Sequence, residues 1–243
     1  MTDATTRAIL LDIEGTTTPV EFVYEVLFPF ARSRAAEFIR ERYESGEMRA
    51  ALDALEAEHR EDDAKGNAPP AWLDATDDAR IDSATRYVHW LMDQDRKSTA
   101  LKSLQGKIWE GGYRSGQLKG QVYADVPPAF VRWRARQRSI HIYSSGSVLA
   151  QKLLFAHTNE GDLTAYIDGY FDTTTGPKKD AASYQSIGAH IGLPASSILF
   201  LSDVTAELDA ARHAGLQTAL CVRPGSAEPE PNAHTVVRTF DVI

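Results

Sequence analysis

The first ordered signal in the chain is a short apolar run, Ala8-Ile9-Leu10-Leu11, that stops abruptly at Asp12-Ile13-Glu14-Gly15-Thr16-Thr17-Thr18-Pro19. A run that is apolar at every position, without alternation, predicts a parallel strand buried on both faces, and its polar, glycine-containing end predicts a crevice there. The period then changes. Residues 20–61 are charged and helical in spacing, with Phe22, Val26, Leu27 and Phe30 on one face and Ala51, Leu52 and Leu55 further on. Residues 61–78 hold Gly66, Asn67, Pro69, Pro70 and many acids, which predicts a flexible connection. Helical spacing resumes over residues 79–104 through Ile81, Ala84, Val88, Leu91 and Met92. A further helix is predicted over 101–109, before Gly111, Gly112, Gly116 and Gly120 break the pattern.

Beyond this the pattern alternates. A helix is expected over residues 127–136, a strand over 139–143, and a helix from Val148 capped by Ser147. Residues 166–171 read as a strand or extended loop, 180–191 as a helix, and 197–201 as a strand ending in Ser202-Asp203-Val204-Thr205. A helix over 207–214 ends at Gly215, and 217–222 is the last clear strand. Alternating strands and helices imply an α/β fold with a doubly wound parallel sheet. About a hundred mostly helical residues separate the first strand from the others, too many for one crossover. The expected organisation is a core of residues 1–19 and 125–243 with a helical cap inserted at 20–124.

Composition narrows the function. With 43% hydrophobic residues in 243, a substantial core is available. A formal charge of -8 argues against attraction to nucleic acid or to anionic membrane surfaces. No apolar stretch approaches the roughly 20 residues of a membrane span. Residues 1–9 lack the apolar segment of a signal peptide, so a cytoplasmic protein is expected. Cys221, the single cysteine, lies in an apolar run and reads as a small buried hydrophobe. The seven histidines show no metal-ligand spacing, Trp90, Trp109 and Trp133 read as packing, and Arg132 to Arg138 as a solvated helix face.

Open parallel sheets bind ligands beyond the carboxyl ends of their strands. Asp12 and Glu14 follow the first predicted strand there, Ser144 and Ser145 another, and Asp203 a later one, while Lys178 lies in a loop after Gly176-Pro177. An acid cluster, a loop of hydroxyl and N–H donors and an ammonium are the parts used in phosphoryl transfer from a monoester. The carboxylate is an oxygen nucleophile, a Mg²⁺ ion with oxygen ligands offsets charge repulsion, and donors hold the non-bridging oxygens.

The order of these residues resembles the four signatures of the haloacid dehalogenase superfamily. Asp12-Ile13-Glu14-Gly15-Thr16 is similar to its D-x-D-x-[TV] pattern, Ser144 to its phosphate-binding hydroxyl, Lys178 to its ammonium and Asp203 to its acidic metal ligand. Glu14 stands where that superfamily usually has a second aspartate. This departure, with Tyr143-Ser144-Ser145-Gly146-Ser147-Val148, Gln151-Lys152-Leu153-Leu154-Phe155 and Phe200-Leu201-Ser202-Asp203-Val204-Thr205, resembles the enolase-phosphatase branch, the acireductone synthases of methionine salvage. The resemblance implies a small phosphorylated diketone substrate, 2,3-diketo-5-methylthiopentyl 1-phosphate, enolised and then dephosphorylated, and it implies a monomer. Asp12 is then the nucleophile and Glu14 the acid/base. Ser144, Ser145 and Lys178 hold the phosphate. Asp12, Glu14 and Asp203 hold Mg²⁺, with Glu14 using either its side chain or its main-chain carbonyl. The enolising base stays open between Glu14 and a residue such as Glu21, and Phe22 or Tyr24 are candidates for the methylthio end. The alternative is a plain Mg²⁺-dependent phosphatase for another small monoester.

Overall fold

Ala8–Leu11 forms strand β1, and all four residues are fully buried. In a computed structural model describing residues 5–96, 98–227 and 229–243, β1 lies between β2 (Ser139–Tyr143) and β4 (Ile198–Ser202). Lys97, which falls in the predicted helical segment 79–104, Glu228, and Met1 to Ala4 lie outside the described residues. β3 (Gly169–Phe171) borders β2, while β5 (Gln217–Cys221) and β6 (Thr235–Val237) extend the other side, giving the order β3-β2-β1-β4-β5-β6 with every pairing parallel. The chain therefore crosses from one side of β1 to the other between β3 and β4. That reversal opens a crevice at the carboxyl end of β1, where Asp12 follows directly.

The chain forms two compact units, one of Met1–Val23 with Lys119–Ile243 and one of Tyr24–Leu118. The first contains the sheet. Helices Val126–Ala135 and Val148–Ala156 lie against β2 and β3, and helices Ala181–Ile191 and Thr205–His213 pack together, the latter on β4 and β5. Leu10, Tyr143, Tyr184, Ile187, Phe200, Leu208 and Leu220 form the core of one face. Trp133 is fully buried and touches Phe130 and Phe240. Cys221 is buried too, and burial pushes its thiol up to about 12, which keeps it protonated and unreactive.

The second unit holds helices Phe28–Arg42, Gly46–Ala64, Asp77–Asp93 and Thr99–Arg114, and a π-helical turn, Phe22–Leu27, that begins in the first unit leads into the first of these helices. Ile39, Leu52, Leu55, Ile81, Tyr87, Val88, Leu91 and Leu104 are among its core residues. Ser45, Thr76 and Ser98 cap the last three helices, each side chain accepting from an N–H three residues on. None of the described helices is long and apolar enough to cross a membrane.

Three local expectations change. The helical spacing over 20–61 is interrupted near Tyr43, because the Ser45 hydroxyl accepts from Met48 N at 3.1 Å and starts a new helix. Gly111 and Gly112 do not end the preceding helix, which runs to Arg114. Gly112 is small because a Cβ there would lie 2.6 Å from the Phe30 ring. The arginines of 132–138 form a solvated face only in part: Arg134 and Arg136 are exposed, while Arg132 is half-buried and Arg138 buried. Arg132 Nη2 donates to Phe240 O at 2.6 Å, Arg136 Nη1 to Ile243 O at 3.3 Å, and Arg138 is 8% exposed.

Candidate active site

Asp12 sits where β1 meets its loop, 2% exposed. Its main-chain N–H donates to Leu201 O of β4 at 3.0 Å, and the Ile13 N–H donates to its Oδ1 at 2.8 Å. The loop then folds on one carbonyl: the N–H groups of Thr16, Thr17 and Thr18 reach Ile13 O at 3.2, 2.9 and 2.9 Å. This turn requires φ of +68° at Gly15, where any other residue would be strained, and a methyl group there would run into the Asp203 carboxylate. The glycine thus lets the acid after β4 close on the loop after β1.

Lys178 brings its ammonium to the same point. Its loop is pinned by Tyr143 OH donating to Gly176 O at 2.8 Å, Ser183 Oγ to Pro177 O at 2.8 Å and Tyr184 OH to Lys178 O at 2.7 Å. Nζ lies 2.6 Å from Asp12 Oδ1 and 2.7 Å from Glu207 Oε2. Burial alone would lower the proton affinity of this ammonium, but the charges of Asp12 and Glu207 outweigh it and raise its pKa, so the lysine is a fixed cation.

Ser144 follows β2, is 1% exposed, and its hydroxyl faces Glu14 Oε2 at 3.4 Å, a long hydrogen bond. Its N–H donates to Phe171 O at 3.2 Å. Gln151 Nε2 holds the loop from behind, donating to Gly146 O and Phe171 O, both at 2.8 Å. Ser145, the next residue, is exposed.

Carboxylates outnumber cations in this crevice, and their pKa values record it. Burial, then the charge of Asp12, pushes Asp203 up to about 6 and Glu207 to about 7, and the same two causes raise Glu14. A hard divalent cation fits this donor set, which is all oxygen and whose mutual repulsion it would relieve. Among the described residues, no three His, Cys, Asp or Glu side chains form a ready metal cage. A resident cation would therefore draw on the Asp12 and Asp203 carboxylates together with main-chain oxygen or water.

Two site residues are not apparent in the sequence. Glu207 reads as the start of a helix, yet it lies within the first turns of Thr205–His213 with its carboxylate on Lys178. The only signal is an acid one helical turn beyond Asp203. Ser202 Oγ lies 3.2 Å from Asp12 Oδ2 and 3.1 Å from Glu207 Oε2. A hydroxyl has one proton, so it donates to only one of the two carboxylates at a time. Of the aromatic candidates, Phe22 is a core residue at 1% exposure, whereas Tyr24 is 62% exposed. Glu21 is exposed.

Comparison with known proteins points the same way. The sequence profile of haloacid dehalogenase-like hydrolases matches residues 6–215. The chain is 53% identical over 235 residues to Enolase-phosphatase E1 of Synechococcus elongatus, covering 97% of this chain and 96% of that one. It is 47% identical to Enolase-phosphatase E1 of Pseudomonas aeruginosa strain UCBPP-PA14, covering 98% and 99%. The crystal structure of the UTR4 protein of Saccharomyces cerevisiae superposes with a TM-score of 0.78 at 36% identity, covering 98% of this chain and all of that one.

Proposed function

Since the chain belongs to the haloacid dehalogenase-like hydrolases, we propose that it is an enolase-phosphatase of methionine salvage. It converts 2,3-diketo-5-methylthiopentyl 1-phosphate through its enol to an acireductone and phosphate. The observation that carries this reading is near-full-length identity of 46–53% to enolase-phosphatases, which spans both compact units. The chemistry is supported by the Asp12–Lys178 pair at 2.6 Å at the carboxyl end of the central strand.

Asp12 attacks phosphorus and forms an aspartyl-phosphate. Its Oδ1 is held by Lys178 and the Ile13 N–H, so the carboxylate is oriented before substrate arrives. Lys178 and the hydroxyl and N–H donors of the Ser144-Ser145 loop take the non-bridging oxygens. Glu14, raised by burial and by Asp12, favours the protonated form that gives a proton to the leaving oxygen; once ionised it takes one from the water that opens the intermediate. Mg²⁺ would be held by the Asp12 and Asp203 carboxylates, and the Glu14 position would add its main-chain carbonyl, since its carboxylate faces Ser144. When bound, the ion offsets the repulsion between the nucleophile and the anionic ester.

The test is a time-resolved absorbance and phosphate assay with the diketo phosphate and Mg²⁺. An enol absorbance that rises before phosphate appears is expected, with Asp12→Asn folded but devoid of phosphate release. Phosphate release with no preceding enol would leave a plain phosphatase, and near-normal release by Asp12→Asn would remove the nucleophile.

A further inference from the structure

A second buried cation, outside the residues just described, also binds the nucleophile loop, at a different residue of it. Arg223 lies two residues beyond β5 and is 4% exposed. Its Nε donates to Thr16 O at 2.8 Å, and its Nη1 lies 2.7 Å from Asp125 Oδ2. The guanidinium stacks between two rings, 4.4 Å from the Tyr123 centroid and 4.2 Å from that of Phe240. The same Asp125 oxygen accepts from Phe240 N at 2.6 Å and Thr239 Oγ1 at 3.2 Å, and Tyr123 N donates to Thr17 O at 3.0 Å. Segments as far as 207 residues apart in sequence thus meet on one planar group.

Stability alone is a poor reason for this arrangement. Burying an ion pair is close to neutral, or unfavourable, against well-packed apolar side chains of the same volume. The loop supplies a better one. Three of its N–H groups share the single acceptor Ile13 O, so its internal bonds hold its shape but not its position. Its carbonyls at Thr16 and Thr17 accept from outside the loop, from Arg223 and from the Tyr123 N–H. Those two bonds tie down the far side of the turn that carries Asp12 and Glu14 at its near side. Arginine suits the task because its rigid fork serves a carbonyl and a carboxylate at once while its faces stack on rings; lysine offers a single point charge. In-line attack on phosphorus is sensitive to displacements of about 1 Å, which cost on the order of 10²-fold in rate.

We infer that Arg223 is a positioning residue for the reaction: through the Thr16 carbonyl it sets where the Asp12 carboxylate stands relative to phosphorus, without touching substrate. This rests on the phosphatase reading above. Its test is steady-state phosphate release by wild type, Arg223→Lys and Arg223→Gln with Mg²⁺. Both the diketo phosphate and p-nitrophenyl phosphate serve as substrates, with melting temperature and circular dichroism measured alongside. For Arg223→Gln the expected result is a kcat lower by roughly 10²-fold with KM within about threefold of wild type. Its dichroism should be native, and added guanidinium at non-denaturing concentration should restore part of the kcat. Arg223→Lys should fall between the two and gain nothing from guanidinium. A folded Arg223→Gln with kcat within about threefold of wild type overturns the inference, as does a loss carried wholly by KM. If Arg223→Gln does not fold, Tyr123→Leu, which strips one ring from the guanidinium and leaves its hydrogen bonds, is judged by the same kcat and KM criterion. A wild type active on p-nitrophenyl phosphate but not on the diketo phosphate removes the substrate reading, and Arg223 is then judged on the former.

Discussion

At the residue scale, the site depends on a few atoms that no other side chain would replace. Gly15 is the sharpest case, since its backbone occupies a left-handed conformation and its missing Cβ is where the Asp203 carboxylate lies. Gly15→Ala should cost about 1–3 kcal/mol in backbone strain and push Asp203 away from Asp12. The expected outcome is a folded protein with at least about tenfold weaker activation by Mg²⁺, read from a metal titration of phosphate release. An alanine variant with unchanged metal dependence would mean that Asp203 does not need to approach the loop. Asp12, Glu14, Lys178 and Asp203 were legible as residue types because each ends a strand or fills a loop between predicted elements. Glu207, Ser202 and Arg223 were not. Their meaning lies in partners that are distant in sequence: Glu207 in Lys178, Ser202 in Asp12 and Arg223 in Thr16.

At the element scale, the sheet delivers the loops to one edge, and the electrostatics of that edge follow. Asp203, raised to about 6, and Glu207, raised to about 7, hold protons in the folded chain that the unfolded chain has already released. The folded state therefore binds more protons across the interval from about pH 4 to pH 7, and stability falls as pH rises through it. Metal-free protein should melt lower at about pH 7.5 than at about pH 5.5, Mg²⁺ should raise the melting point at the higher pH, and Asp203→Asn should flatten part of the slope. A metal-free melting point that climbs over this interval in wild type and variant alike would contradict the crowded carboxylates. The strand that leads into Asp203 was readable because it is apolar from Ile198 to Leu201. β6 was not, being three residues long with Thr235 and Val236 exposed at the sheet edge. Nor was the run of Thr99–Arg114 through two glycines, because the Phe30 ring that rewards the missing side chain at Gly112 is a tertiary neighbour.

At the scale of the whole molecule, an acidic chain handles an anionic ester by concentrating cations where the chemistry occurs. The formal charge of -8 repels phosphate at long range, while the Lys178 ammonium offsets that repulsion locally, as a hard divalent ion would if bound beside it. The parallel α/β architecture was legible from strand and helix alternation, and the family from four short motifs in order. The reaction turns on transfer of the phosphoryl group to Asp12. This transfer is tested most directly by acid-quenching wild-type enzyme within a single turnover of the diketo phosphate and mapping its peptides by mass spectrometry. One phosphoryl group on the peptide containing Asp12, appearing and decaying as phosphate is released, is the predicted result. Full phosphate release with that peptide unmodified at every quench time, under conditions that preserve an authentic acyl phosphate, would contradict it.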